Sequence, residues 1–433
     1  MRGSVCPPNG SKGIKTHVNA VSSSDVAVVT PWYPSRHRPF LGAFVRAMVQ
    51  ATSAGAHRTL VYHCDEWAGP YPPAEEAELT RAHHALLPRI LRPQPVEHAA
   101  GLLRLPVPLA LGLTYAEIAQ RHADTLRAGL GGPIDAPVVH AHVGLPGGWA
   151  ALRNARPDAR VFVTEHATFL AAVLAQPEAR RMYDELLHRC SGFFAVGRAV
   201  RDPLVEAFPH HAHRISIIPN PVSFDTARPT PVADLRRWLF VGGLIERKGV
   251  LRLLEAFAQC HREDPTLTLT LVGEGPLLRQ LRARSEQLGV SAAVHYTGAV
   301  VPDRALRLMR EHDLLVHPSQ FETFGMTVVE AVAAGMPVLV TRCHGPQETL
   351  AGIEDATAEF VAVEDDPSSL AEGFRRLRAR FTAGLELAAA RRVLSARYGF
   401  AAVAAAHHRA WFAEPATAAA VARTERGTEQ PVP

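Results

Sequence analysis

The chain has 433 residues, 47% of them apolar and 20% charged, and a formal charge of +4, the composition of a globular protein long enough for two cores. Its arginines are scattered, which argues against nucleic-acid binding and is compatible with an anionic small-molecule substrate. The five cysteines (Cys6, Cys64, Cys190, Cys260, Cys343) are odd in number, widely spread and without a C-x-x-C pair, which favours a reducing, cytoplasmic setting over a disulfide framework.

Residues 1–24 are polar and have no apolar core, so they read as a flexible segment and not as a signal peptide. Asp25–Thr30 is a short β-rich run ending at Pro31, followed by a helical pattern after Gly42. Further strands are predicted at Thr59–Tyr62, Val138–His142, Val161–Thr164, Phe193–Val196 and Ile215–Ile218. A proline-rich break at Pro219–Arg237 reads as a domain boundary. Alternation restarts with strands at Trp238–Val241, Thr266–Val272, Ala293–Tyr296, Asp313–Val316 and Val338–Thr341. Helices are predicted between them at Gly249–Cys260, Leu277–Leu288, Ala305–Arg310 and Thr327–Ala334. Repeated strand then helix implies parallel sheets covered on both faces. The reading is two doubly wound α/β domains facing a cleft, with ligand at the carboxyl ends of the strands. The segment 414–433, rich in Ala, Thr and Pro, reads as disordered. Apolar runs such as Phe169–Ala175 are too short to span a bilayer.

The strongest chemical signal is the pair Glu322 and Glu330. Glu322 lies on the loop leaving a strand, and Glu330 lies inside the next helix. Gly325 between them marks the helix start, where free N–H groups and the helix dipole favour an anion. From Gly325 to Glu330 is about 7–8 Å of helix rise. That spacing suits a diphosphate at the helix tip, a ribose diol on Glu330 and a second hydroxylated group near Glu322. Acidic residues near helix starts are common, so the pair needs support from elsewhere in the chain. Gly242–Gly249 supplies adjacent cations, Arg247 and Lys248, just after a strand. Gly273-Glu274-Gly275-Pro276 and Gly42 occupy equivalent strand-to-helix turns. His166 ends a strand and is placed to face the cleft as a hydrogen-bond donor, acid or base. The run His210-His211-Ala212-His213 has no cysteine or acidic partner at ligand spacing and is not read as a metal site. No Asp-x-Asp occurs, so no metal is expected at the diphosphate.

In this order the elements resemble the retaining glycosyltransferase family 4, of the GT-B fold, from about Asp25 to Phe412. The resemblance rests on Phe40–Val45, Ile218–Val222, Val241–Gly249, Leu271–Pro276 and Glu322–Val338. It implies a first domain of 25–222 plus 398–413, for the acceptor, and a second of 223–397, for the nucleotide sugar. It implies that Lys248 neutralises the donor diphosphate, assisted by Arg247, and that Gly42 lets the first-domain loop approach. Amides at Phe324, Gly325 and Met326 would hold the diphosphate. Glu322 would bind sugar hydroxyls, Glu330 the ribose, and His166 the sugar near the reacting carbon; Glu274 belongs to the donor loop. His166, Lys248 and Glu322 are thus the catalytic candidates. The implied reaction is same-face substitution without a cofactor, the nucleotide-diphosphate sugar being a substrate.

Many members of the resembled family carry arginine where this chain has Gly243, so one phosphate-facing cation is missing or replaced. Two alternatives stand beside a transferase: a nucleotide-sugar epimerase or hydrolase on the same fold, and a non-catalytic nucleotide-sugar binder, which the missing arginine keeps open. Trp32–Phe40 and Cys64–Pro108 are expected as loops shaping the site for a glycan, lipid or small-molecule acceptor. Pro70–Pro73 and Leu102–Leu113 are weighed as an apolar lip making peripheral membrane contact, against a packed loop.

Overall fold

A computed structural model of the chain describes residues 24–36, 38–53, 58–70, 73–225 and 227–412. The two terminal segments expected to be flexible lie outside the described residues, apart from Ser24.

The first sheet comprises β1 (Val26–Thr30), β2 (Thr59–Gly69), β3 (Gln94–Val96), β4 (Ala99–Ala110), β5 (Val138–His142), β6 (Arg160–Glu165), β7 (Gly192–Ala195) and β8 (Ile215–Ile217). Their order is β3-β4-β2-β1-β5-β6-β7-β8, and only the β3–β4 pairing is antiparallel. The second sheet comprises β9 (Arg237–Val241), β10 (Thr268–Val272), β11 (Val294–Gly298), β12 (Leu314–His317), β13 (Val338–Thr341) and β14 (Ala358–Val361). It is parallel throughout, in the order β11-β10-β9-β12-β13-β14. Strand order reverses between β1 and β5 and again between β9 and β12, and such switch points open a ligand crevice at the carboxyl ends. Every residue of β1, β5 and β13 is buried, as parallel strands covered on both faces require.

Trp238, Phe240, Leu253 and Phe257 form the centre of the second domain's core. One face of the first sheet is closed by two helices, Ala43–Thr52 and Phe400–Phe412. Val26, Val28, Val45, Phe162, Val403 and Trp411 pack there as one cluster. Arg160 on β6 donates to the carbonyls of Ala410 and Trp411 at 3.0 and 2.9 Å, which satisfies the exposed end of the last helix. The chain crosses back at a parallel bridge between Val222 and Gly399.

The stretch Cys64–Pro108 is not the open loop the sequence suggested. It holds the rest of β2, the helix Pro73–Ile90, β3 and most of β4. Leu103, Leu105, Val107 and Leu109 are buried, so the apolar run at 102–109 belongs to the core and not to a membrane lip. Pro106 and Pro108 had masked the strand. They pair with Asp65 and Trp67 of β2, and β3 reaches only Leu102 on the other side. A strand with one open edge tolerates missing N–H donors there. Leu111, just beyond β4, is 68% exposed. Among the described residues no helix is long and apolar enough to cross a membrane.

Candidate active site

Two glycine turns at the carboxyl ends of β9 and β10 press against each other. A Cβ on Gly273 would lie 1.9 Å from the Gly242 carbonyl oxygen, and one on Gly275 would lie 2.3 Å from that of Leu244. Gly242 N donates to Val272 O at 3.0 Å and Leu244 N to Glu274 O at 2.9 Å. The glycines are therefore demanded by backbone packing, whatever binds beside them. Between these turns and the helix Met326–Ala333 lies a cavity of about 260 Å³. Gly242, Gly243, Glu274, Val300, Met326, Thr327 and Glu330 line it from the second domain, and Phe40, Ala43 and Phe44 close it from the first. Gly325 caps the helix in the left-handed region (φ 85°) and offers no side-chain cap; Val328 N turns back to Gly325 O at 3.0 Å, which leaves the amides of Met326 and Thr327 for another partner.

Gly42 is also left-handed, at φ 70°, and a Cβ there would meet the Trp32 carbonyl oxygen at 2.3 Å. It packs on the loop after β1 and swings the helix Ala43–Thr52 so that Ala43 and Phe44 reach the cavity. Phe324 contributes backbone only. Its ring is buried edge-on against Tyr398, with centroids 5.2 Å apart.

Lys248 ends a short helical turn, Glu246–Lys248, and its stem passes 3.9 Å from where a Gly242 Cβ would be. Its Nζ forms an ion pair with Glu322 Oε1. His317 Nε2, at the end of β12, lies 3.0 Å from the same oxygen, and Ser319 Oγ lies 3.1 Å from that nitrogen. Glu322 is only 7% exposed. Burial opposes its charge, but Lys248 and His317 outweigh burial and hold the carboxyl far below the usual range. Burial lowers the pKa of His317, so its ring is neutral and placed to donate Nε2–H. Arg247 points elsewhere: its guanidinium donates to the Phe321 carbonyl and its own carbonyl accepts from Gln320 N at 2.8 Å, which clamps the loop carrying Glu322. Glu330 differs from Glu322. It is half-buried and lines the cavity, and burial is the cause that raises its pKa to about 7.

His166 is turned inward. It is 8% exposed, its Nε2 lies 2.8 Å from His142 Nδ1, and its ring centroid lies 4.3 Å from that of Phe44. Burial drives its pKa down to about 3, which makes it a neutral and weak base. Its Nδ1 is buried without a hydrogen-bond partner. The preceding residue fixes this turn. Glu165 is fully buried and accepts from the amides of Gly144, His166 and Ala167 at 2.8, 2.8 and 2.7 Å, and from the Tyr183 hydroxyl. Burial raises its pKa, while these four donors oppose the rise. Glu165 and Tyr183 went unread in the sequence. The only signal was an acid at a strand's end, and its partners come from distant elements. Tyr183→Phe should cost about 2 kcal/mol, the worth of a hydrogen bond to a buried charged group. Urea unfolding measures it, and an unshifted midpoint would remove Tyr183 from this role.

Two doubly wound domains closing on one glycine-lined cavity define the GT-B class. Solved structures of that class overlay the chain: sucrose-phosphate synthase from Thermosynechococcus elongatus has a TM-score of 0.67, covering 89% of this chain and 97% of that one at 19% identity. The Anabaena protein HepE, solved with UDP and glucose, has a TM-score of 0.63, covering 90% and 100% at 16% identity. Residues 41–226 match the model described as Glycosyltransferase Family 4, and residues 226–379 the one described as Glycosyl transferases group 1. Both models describe glycosyltransferases, and end to end they cover residues 41–379 of the chain. The glycogen synthase of Mycobacterium tuberculosis is 27% identical over 273 residues, which is 58% of this chain and 65% of that relative. The match thus spans just under two thirds of the relative's length.

Proposed function

We propose that the chain transfers a hexosyl group from a nucleotide-diphosphate sugar to an acceptor hydroxyl, on the same face and with retention. The observation that carries this is a cavity that joins the uncapped start of the helix Met326–Ala333, the Glu330 carboxyl and the glycine turn Gly242–Gly243, beside which the Lys248 stem passes. The nucleoside occupies the cavity with its ribose diol on Glu330. Its diphosphate lies on the amides around Gly325 and Met326, within the reach of Lys248 once that ammonium shares Glu322. Glu274 and Glu322 take hydroxyls. His166, neutral, acts through position and not as a strong base, so the leaving diphosphate assists the acceptor's deprotonation. Helix amides and Lys248 supply the positive charge that a metal ion would otherwise bring. The acceptor is an envelope glycan, a lipid or a secondary metabolite, reached from the cytoplasmic side with peripheral membrane contact at most.

The test is a panel of nucleotide sugars with candidate acceptors, chelator present, with the product's anomeric configuration read by NMR. Retained configuration and acceptor-dependent release of nucleotide diphosphate support the reading. Release from donor alone would favour a hydrolase or epimerase, and stabilisation by donor with no release would leave a binding protein. That last reading draws on the absent arginine. A Cβ at Gly243 would meet only the Glu274 carbonyl oxygen, at 3.9 Å, so a side chain fits. Gly243→Arg should tighten nucleotide-diphosphate binding about tenfold, the worth of one charge-assisted contact. Calorimetry checks this, and an unchanged or weaker Kd would place the diphosphate away from residue 243.

A further inference from the structure

The histidine-rich turn that lacked an acidic partner in the sequence has one in the fold. His210 and His211 sit on the short helical turn Pro209–Arg214, against the helix Pro177–Arg189. From that helix Asp184 brings Oδ1 to 2.8 Å from His210 Nε2 and 3.2 Å from His211 Nε2. The three ligand atoms lie within 4.8 Å of one another. His211 is 6% exposed, and its Nε2 is buried without a hydrogen bond, because Asp184 lies near it but off the bonding direction. A surface cavity beside the cluster, also lined by Glu185 and His188, gives an ion a way in and leaves room for water as a further ligand. The cations around the cluster are engaged elsewhere: Arg180 donates to the Ala207 carbonyl at 2.7 Å, Arg181 pairs with Glu178, and Arg214 donates to the Cys190 carbonyl at 2.9 Å.

We propose that Asp184, His210 and His211 bind a zinc-class divalent cation. The site shares no lining residue with the sugar cavity and would staple the turn before β8 to the helix Pro177–Arg189. Two imidazoles and a carboxylate suit such a borderline ion. Metal–ligand bonds of about 2.0–2.2 Å set tetrahedral ligand atoms roughly 3.3–3.5 Å apart, so the two separations from Asp184, 2.8 and 3.2 Å, need only slight opening.

The experiment uses the full chain without a histidine tag, stripped with chelator, titrated with zinc chloride by calorimetry and followed by thermal unfolding. One zinc per chain with a rise in Tm is expected. His210→Ala, whose side chain is 61% exposed and whose loss should not unfold the chain, should weaken binding at least about 100-fold, beyond the range seen on losing outer-shell partners alone. Asp184→Asn should do the same, with Tm in chelator near the parent's. No zinc binding by the parent, or binding that survives in both variants, would overturn the site.

Discussion

Lys248→Met should lower kcat/KM at least about 100-fold, which corresponds to about 2.7 kcal/mol of lost transition-state stabilisation. It should also destabilise the fold, because Glu322 then stays charged and buried beside a neutral His317. Removing one member of a buried pair costs about 3–5 kcal/mol, and the residual exposure of both side chains places this case at or below the lower end. The two losses separate in a double variant. Adding Glu322→Gln removes the orphaned charge and should restore most of the Tm. Turnover should stay low, because the cation that meets the diphosphate is still absent and a hydroxyl contact has gone as well. The pair is read by urea unfolding alongside steady-state kinetics. If Lys248→Met kept near-parental kcat/KM, the diphosphate would have to sit elsewhere. If the double variant recovered activity with stability, the pair would be a structural ion pair only.

The second domain was legible because its signals are local. Val338–Thr341 is a strand where the aliphatic run predicted one, and the helix read as Gly249–Cys260 runs from Val250 to Glu263. The first domain hid more. Its helix Tyr115–Leu130 carries a readable start, with Thr114 and Glu117 forming a capping box, and a readable end at Gly131, yet neither was used. β4 was concealed by its own prolines. In the site, residue types and strand-end positions were readable, and partnerships were not. Spacing placed His166 after a strand but not that its ring turns toward His142, nor that Arg247 serves the Phe321 carbonyl. Glu322 and Glu330 looked alike in the sequence. One sits beside a lysine and a histidine, the other lines the cavity half-buried without either, and only the fold separates a carboxylate from a carboxyl titrating near neutrality.

That separation makes the proposed donor site pH-sensitive in a predictable direction. Burial raises the Glu330 pKa from 4.5 to about 7, so the native state holds a proton there that the unfolded chain has already lost. Stability from this group therefore falls as pH rises from the unfolded value through the folded one. The loss is at most about 3.5 kcal/mol at roughly 1.4 kcal/mol per unit, less whatever solvent in the cavity screens. Glu330→Gln should remove that slope and be the more stable protein at pH 8. Donor binding should run the other way. Diol hydroxyls donate to a carboxylate, so the ionised form binds, and affinity for the nucleotide diphosphate should weaken about tenfold for each unit below the free-state pKa. Binding near pH 6 should then release close to one proton, seen as a dependence of the calorimetric enthalpy on the buffer's own ionisation enthalpy. In Glu330→Gln the affinity should be low and flat across that range, and turnover should fall about 100-fold through the lost ribose contact. A parental affinity that is level from pH 5.5 to 8 would detach Glu330 from the ribose. A slope that persists in Glu330→Gln would assign the titration to the ligand's phosphate or to another group in the cleft.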